Sequence, residues 1–104
     1  MKSMVPTKFF LSQNYPNPFS GGTSIKLCVA YKTRVRLDIH DSEGTLVQTL
    51  LDEVMEPGTY EAEFDARIDG KSAVGIPEGA YFCTLLAGDY TATKKMLLLK
   101  KSLV

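Results

Sequence analysis

The one histidine of the chain, His40, is followed directly by Asp41. A histidine beside a carboxylate can serve as a general base, but such a base needs a nucleophile within about 3 Å, and no motif supplies one. Neighbouring residues of a strand also face opposite ways, which separates the two side chains. His40 is therefore expected to be solvent-facing. Asp38, Asp41 and Glu43 form one acidic run, and Asp65 with Asp69-Gly70 a second. Neither has the ligand spacing of a calcium loop, and Asp is a common turn former. Glu61, Glu63 and Asp65 share one face of an alternating segment. Paired carboxylates hydrolyse glycosides only across a cleft, so a solvated strand face is the simpler assignment. By alternation Cys28 faces outward with Lys26 and Ala30, and Cys83 inward with Tyr81 and Leu85. Two free thiols are expected in preference to a disulfide. These groups imply no catalytic residue, no metal site and no cofactor. A basic cluster remains, Lys94, Lys95 and Lys100, set in an apolar segment near the C-terminus.

That cluster lies on the most cleanly punctuated stretch of the chain. Gly79 to Ala87 and Tyr90 to Lys100 are rich in β-formers, with Gly88-Asp89 between them. The pattern predicts a hairpin with a two-residue turn, in which Gly88 takes the positive φ. Upstream, Phe9 to Gln13 reads as a short opening strand. Asn14-Tyr15-Pro16-Asn17-Pro18-Phe19 reads as a proline-fixed turn whose Tyr15 and Phe19 plug one end of the fold. Thr23–Ala30 and Arg34–His40 alternate as strands, the latter with Val35, Leu37 and Ile39 inward and Arg34, Arg36, Asp38 and His40 outward. Asp41-Ser42-Glu43-Gly44 is a turn, and Leu46–Leu51 a strand whose slipping pattern predicts a bulge. Glu56-Pro57-Gly58 turns into Thr59–Asp65, with Tyr60, Ala62 and Phe64 on one face. Residues 66–78 read as a long connection with one short strand around Ser72-Ala73-Val74. No segment has a helical period. About seven short strands separated by turn signals predict an all-β, antiparallel β-sandwich.

Bulk properties narrow the function. The chain has 104 residues, enough for one domain with a two-layer core. Twelve basic residues balance twelve acidic ones, which argues against nucleic acid as a partner. No apolar run approaches the roughly eighteen residues of a membrane-spanning helix. Met1-Lys2-Ser3-Met4-Val5-Pro6 lacks the apolar core of a signal peptide, so the chain is expected to be cytosolic or a piece of a longer one.

At the level of motifs the chain resembles the C-terminal sorting domain of the type IX, or Por, secretion apparatus in its type A form. That domain is related to the immunoglobulin-like module of flagellar hook-capping proteins. The residues that carry the resemblance are Leu11-Ser12-Gln13-Asn14-Tyr15-Pro16-Asn17-Pro18-Phe19, Thr23-Ser24-Ile25, Val35 to Gly44 and Pro57-Gly58-Thr59-Tyr60. They continue with Gly79-Ala80-Tyr81-Phe82, Leu86-Ala87-Gly88-Asp89-Tyr90 and Thr93 to Lys100, so the match runs from about Phe9 to Lys100. The family's second Asn-Pro after Phe19 is replaced by Ser20-Gly21-Gly22, its Leu-Pro before the third strand by Ala30-Tyr31-Lys32, and its Tyr by His40. These are loop and surface changes, which bear on partner contacts more than on the fold.

The resemblance implies an immunoglobulin-like sandwich over residues 9–101, with residues 1–8 a disordered or appended lead and 102–104 a tail. It implies a non-catalytic domain at the end of a longer precursor that directs its covalently linked N-terminal cargo through the outer-membrane translocon. The cargo is thereby secreted or carried to the cell surface, in many members with cleavage by a sortase-like peptidase. Recognition is assigned to the last strand, Lys94, Lys95, Met96, Leu97, Leu98, Leu99 and Lys100, through addition of a strand to its open backbone edge. Its lysines would also blunt random edge pairing, although an edge-strand dimer is expected of the isolated domain. Asn14, Tyr15, Pro16, Asn17, Pro18, Phe19, Gly44, Gly58, Gly79, Tyr81, Gly88 and Asp89 are assigned to the structural frame. The alternative is an immunoglobulin-like accessory module of a secreted enzyme, binding carbohydrate or packing on a catalytic neighbour. Against a sugar site stand the absence of Trp and the expected inward placement of most Tyr and Phe. A structural module of an appendage, by analogy with the hook-capping relatives, is a third reading.

Overall fold

Alternation of apolar and polar residues with period two builds most of the long elements among the described residues. The computed structural model describes residues 6–67 and 75–100, so the short strand expected at Ser72–Val74, the Asp69-Gly70 pair and the tail lie outside the described residues. Seven strands appear: β1 (Phe10–Leu11), β2 (Gly22–Val29), β3 (Thr33–Asp41), β4 (Leu46–Met55), β5 (Gly58–Asp65), β6 (Gly79–Ala87) and β7 (Tyr90–Leu98). They form a three-stranded sheet in the order β1-β2-β5 and a four-stranded sheet in the order β4-β3-β6-β7, all neighbours antiparallel. The chain is thus an immunoglobulin-like β-sandwich.

The inner faces are the apolar sides of the alternating strands. Ile25, Leu27 and Val29 of β2 and Phe64 of β5 face Val35, Leu37 and Ile39 of β3, Cys83 and Leu85 of β6, and Met96 and Leu98 of β7, all fully buried. Each such side chain contributes about 1.5–3 kcal/mol relative to exposure, so this one face carries most of the fold. The hairpin closes as expected: Ala87 pairs with Tyr90, and Gly88 sits at φ 58° in the turn.

Strand β4 continues to Met55, beyond the expected Leu51, and carries two bulges. Leu37 pairs with Leu51 but Asp38 with Thr49, and Ile39 pairs with Gln48 but His40 with Leu46, so Leu50 and Val47 are each left over. The pattern that slips in the sequence is this pair of inserted residues.

Three placements differ from the sequence expectation. Tyr15 does not plug the core; it is 81% exposed. Its backbone exchanges both hydrogen bonds with Ser24 at 2.9 Å, and directly opposed residues share a face, so Tyr15 takes the outer side on which Ser24 lies. Phe19 does enter the core, at 2% exposure, with its ring edge-on to Phe64 at 6.1 Å. Asp38 stands on the outer side of β3, yet it is buried beneath Arg36 and Thr49, which both donate to its carboxylate at 2.7 Å. His40 is half-buried, not open to solvent, because Leu46 and Phe82 flank it across the sheet. The aromatic residues are also less inward than expected: Phe10 and Tyr31 are about half exposed, with Tyr31 edge-on to Phe9 at 4.8 Å.

Candidate recognition strand and its brace

The acidic and nucleophilic candidates are absorbed by local structure. Asp41 Oδ1 accepts from the backbone N–H groups of Glu43 and Thr45, both at 2.9 Å, and Gly44 closes the same turn. Its carboxylate therefore builds a turn and does not orient His40, whose cross-strand neighbours Leu46 and Phe82 offer no nucleophile. Asp65 accepts from the backbone N–H and the guanidinium of Arg67 at 2.9–3.0 Å, and these bonds hold its carboxyl below the usual carboxylate range. Glu61 and Glu63 lie exposed on β5 opposite Lys26 and Ser24 of β2, along a strand face and not across a cleft. Cys28 and Cys83 are both free, and burial pushes the Cys83 thiol up to about 12. A thiol so placed is a packing group, because the thiolate is the reactive form. Among the described residues no three His, Cys, Asp or Glu side chains converge to hold a metal ion.

The C-terminal strand divides by parity. Met96 and Leu98 are fully buried, and Lys94 lies on the same inner side, half-buried at the rim opposite Cys83. Lys95, Leu97 and Leu99 face outward, with Leu97 37% and Leu99 51% exposed. Beyond the strand, the backbone N–H of Lys100 donates to Glu78 Oε1 at 3.0 Å. Of the seven residues assigned to recognition, Met96 and Leu98 can touch nothing outside the folded domain.

The outer edge of β7 is not bare along its length. Phe19 N–H donates to Leu97 O, Leu99 N–H donates to Phe19 O, both at 2.9 Å, and Phe19 and Leu98 form a parallel bridge. Leu97 N–H donates to Asn17 Oδ1 at 3.0 Å, and Gln13 Nε2 donates to Lys95 O at 2.6 Å. Residues 13–19 thus lie along the second half of β7 as a brace, and the open edge expected there is closed. Between described residues no backbone hydrogen bond reaches the outer sides of Thr91 and Thr93, so the first half stays open.

The brace is itself well held. Asn14, 3% exposed, donates through Nδ2 to Pro16 O and to Thr23 Oγ1, each at 3.0 Å, and Thr23 Oγ1 donates in turn to Pro16 O at 2.9 Å. The Tyr15–Pro16 and Asn17–Pro18 peptides are cis. Burial of Phe19 contributes about 1.5–3 kcal/mol and each hydrogen bond about 1 kcal/mol, so the brace stays on the strand at equilibrium. Its Asn and Phe types were visible as a motif. The contact across some eighty residues was not, because nothing local encodes it.

At the foot of the hairpin, Asp41, Glu43, Leu46, Ile76, Pro77, Glu78 and Tyr81 line a shallow hollow of about 390 Å³. Tyr81 donates its phenol to Pro77 O, and burial together with the nearby Asp41 raises its pKa above the usual value, so it remains a donor. The hydroxyl is committed to holding the loop that enters β6.

These features define an immunoglobulin-like sandwich whose final strand is braced by its opening motif. The family model for the secretion system C-terminal sorting domain matches residues 13–99, most of the chain, and the chain belongs to that family. It is a type IX, or Por, sorting domain. Among solved structures, the crystal structure of dimeric latent PorU from Porphyromonas gingivalis is similar, at 18% identity and a TM-score of 0.55. The match covers 97% of this chain and 10% of that one, so the chain corresponds to a tenth of PorU and shares its fold over that part. No curated protein sequence matches.

Proposed function

We propose that this domain is a non-catalytic address that a protein of the outer-membrane type IX translocon binds, delivering an N-terminally linked cargo to the cell surface or beyond it. The observation that carries the reading is the sorting-family match over residues 13–99, which includes both the brace and the last strand. The carboxylates of Asp38, Asp41 and Asp65 are engaged in turns and ladders, which supports a binding role. Recognition by residues 94–100 falls to the outward members, Lys95, Leu97 and Leu99, while Lys94, Met96 and Leu98 hold the strand in place. A sortase-like peptidase that releases the cargo from the domain is a natural second partner.

A gain-of-function fusion tests this. A reporter enzyme carrying an N-terminal signal peptide and this chain at its C-terminus is expressed in a bacterium with the type IX apparatus. The reporter is expected on the surface or in the medium, and the same reporter without the chain in the periplasm. Retention of the fused reporter in the periplasm would overturn the reading.

A further inference from the structure

The brace changes what a receptor can read. Strand addition along Lys95–Leu99 needs the outward backbone groups of β7, and the brace already takes Lys95 O, Leu97 N–H, Leu97 O and Leu99 N–H. Phe19 anchors the brace at 2% exposure, and Gly21 O accepts from Ala66 N–H at 3.0 Å just beyond it. Lifting it would open the core at Phe64.

The outer face of the same sheet is open, and its rows differ. Toward the hairpin turn the exposed Val54 and Leu86 stand among polar groups that satisfy one another: Arg34 meets Asp52 at 3.0 Å, Arg36 meets Asp38 at 2.7 Å, and the Thr84 and Thr93 hydroxyls share a bond at 3.1 Å. Toward the strand ends one row crosses all four strands, Leu46, His40, Phe82 and Lys95, with Leu97 in the next row. Leu46 is 47% exposed, and Leu97 and Leu99 extend the apolar surface to the rim. Among the described residues no ion pair includes Lys95, so the one uncompensated formal charge of this row is positive.

Resting on the sorting reading above, we infer that the translocon binds the outer face of the four-stranded sheet at Leu46, Phe82, Lys95 and Leu97, and not the backbone edge of β7. The partner surface is apolar and carries a carboxylate that meets Lys95. The opposite face of the sandwich sets opposite charges across from one another, Lys26 against Glu61, beside the exposed rings of Phe10 and Tyr15.

Two sets of variants of the reporter fusion test the inference. Leu46→Asp with Leu97→Asp places charge on two exposed positions. It is expected to lower surface reporter at least about tenfold, the loss of one strong interface anchor, with the melting temperature of the isolated chain kept. Lys95→Glu removes no apolar anchor and is expected to lower export several-fold, with Lys95→Arg restoring it. In a Cys28→Ser background, Ser20→Cys with Leu99→Cys joins the pair next in register to Phe19–Leu98 and locks the brace, as thiol trapping verifies. The locked fusion is expected to be exported like its single-cysteine controls. Export of the double-Asp fusion at the parental level would overturn the inference, and so would a block of export confined to the locked form. In both cases the parental fusion still reaches the surface, which separates this failure from a failure of the sorting reading.

Discussion

The two margins of the four-stranded sheet, β4 and β7, carry the same hazard of unpaired backbone groups and meet it by different means. Strand β4 is distorted: two bulges break its register, and Asp52 and Glu53 put charge along it. Strand β7 runs in unbroken register with β6 for nine residue pairs, and residues 13–19 cover its second half from outside. Distortion is local and needs no other part of the chain. A brace leaves the register unbroken and the outer side chains in a regular array, but it makes residues 95–99 depend on residues 13–19.

The sharpest way to break this contrast is Phe19→Ala. Removing a buried aromatic anchor is expected to cost about 3–5 kcal/mol in denaturant unfolding. A loss near zero would mean that the brace is decoration. On the other margin, Asp38→Ala removes the carboxylate that ties Arg36 of β3 to Thr49 of β4. About 1–3 kcal/mol is expected, the range for hydrogen bonds made by a charged group. Asn17→Ala removes only the acceptor of Leu97 N–H and is expected to cost about 1 kcal/mol. Amide exchange should then quicken at Leu97 and not at Met96, which bonds toward β6. Cys83 on β6 sharpens the comparison further: with its thiol pushed up to about 12 it should resist alkylation at neutral pH while half-exposed Cys28 reacts. Its labelling rate then reports how often the β7 margin opens, and Phe19→Ala should raise that rate more than Asp38→Ala does. The smallest effect is at Asp65, whose carboxyl is held below its ordinary 3.8 by Arg67. The stabilisation is present above that pH and is lost as pH falls through the lower folded value. Asp65→Asn should flatten a slight acid-side slope in melting temperature, and an unchanged slope would show that the pair contributes nothing.

What could be read without coordinates was whatever repeats every two residues or sits in a tight turn. The Gly88-Asp89 hairpin, the inward faces of β2, β3 and β5, and a bulge in β4 are all local patterns, and all are present. Tyr15 faces outward because a backbone bridge to Ser24 sets its side, which no alternation in a proline-bound turn announces. Asp38 was placed on the correct side but its burial was missed, since cover from Arg36 and Thr49 depends on which strands are neighbours. The closed edge of β7 was missed for the same reason: Asn17 and Leu97 stand far apart in sequence and only the packing of one sheet against the other joins them. Of the seven residues proposed for recognition, Met96 and Leu98 belong to the core.

That burial makes the fold depend on synthesis of its last strand. Met96 and Leu98 fill the centre of the sandwich from the final strand, so a ribosome that stops short of them releases a chain with no closed domain to present. On the proposed reading, the address becomes legible only once translation has passed Leu98.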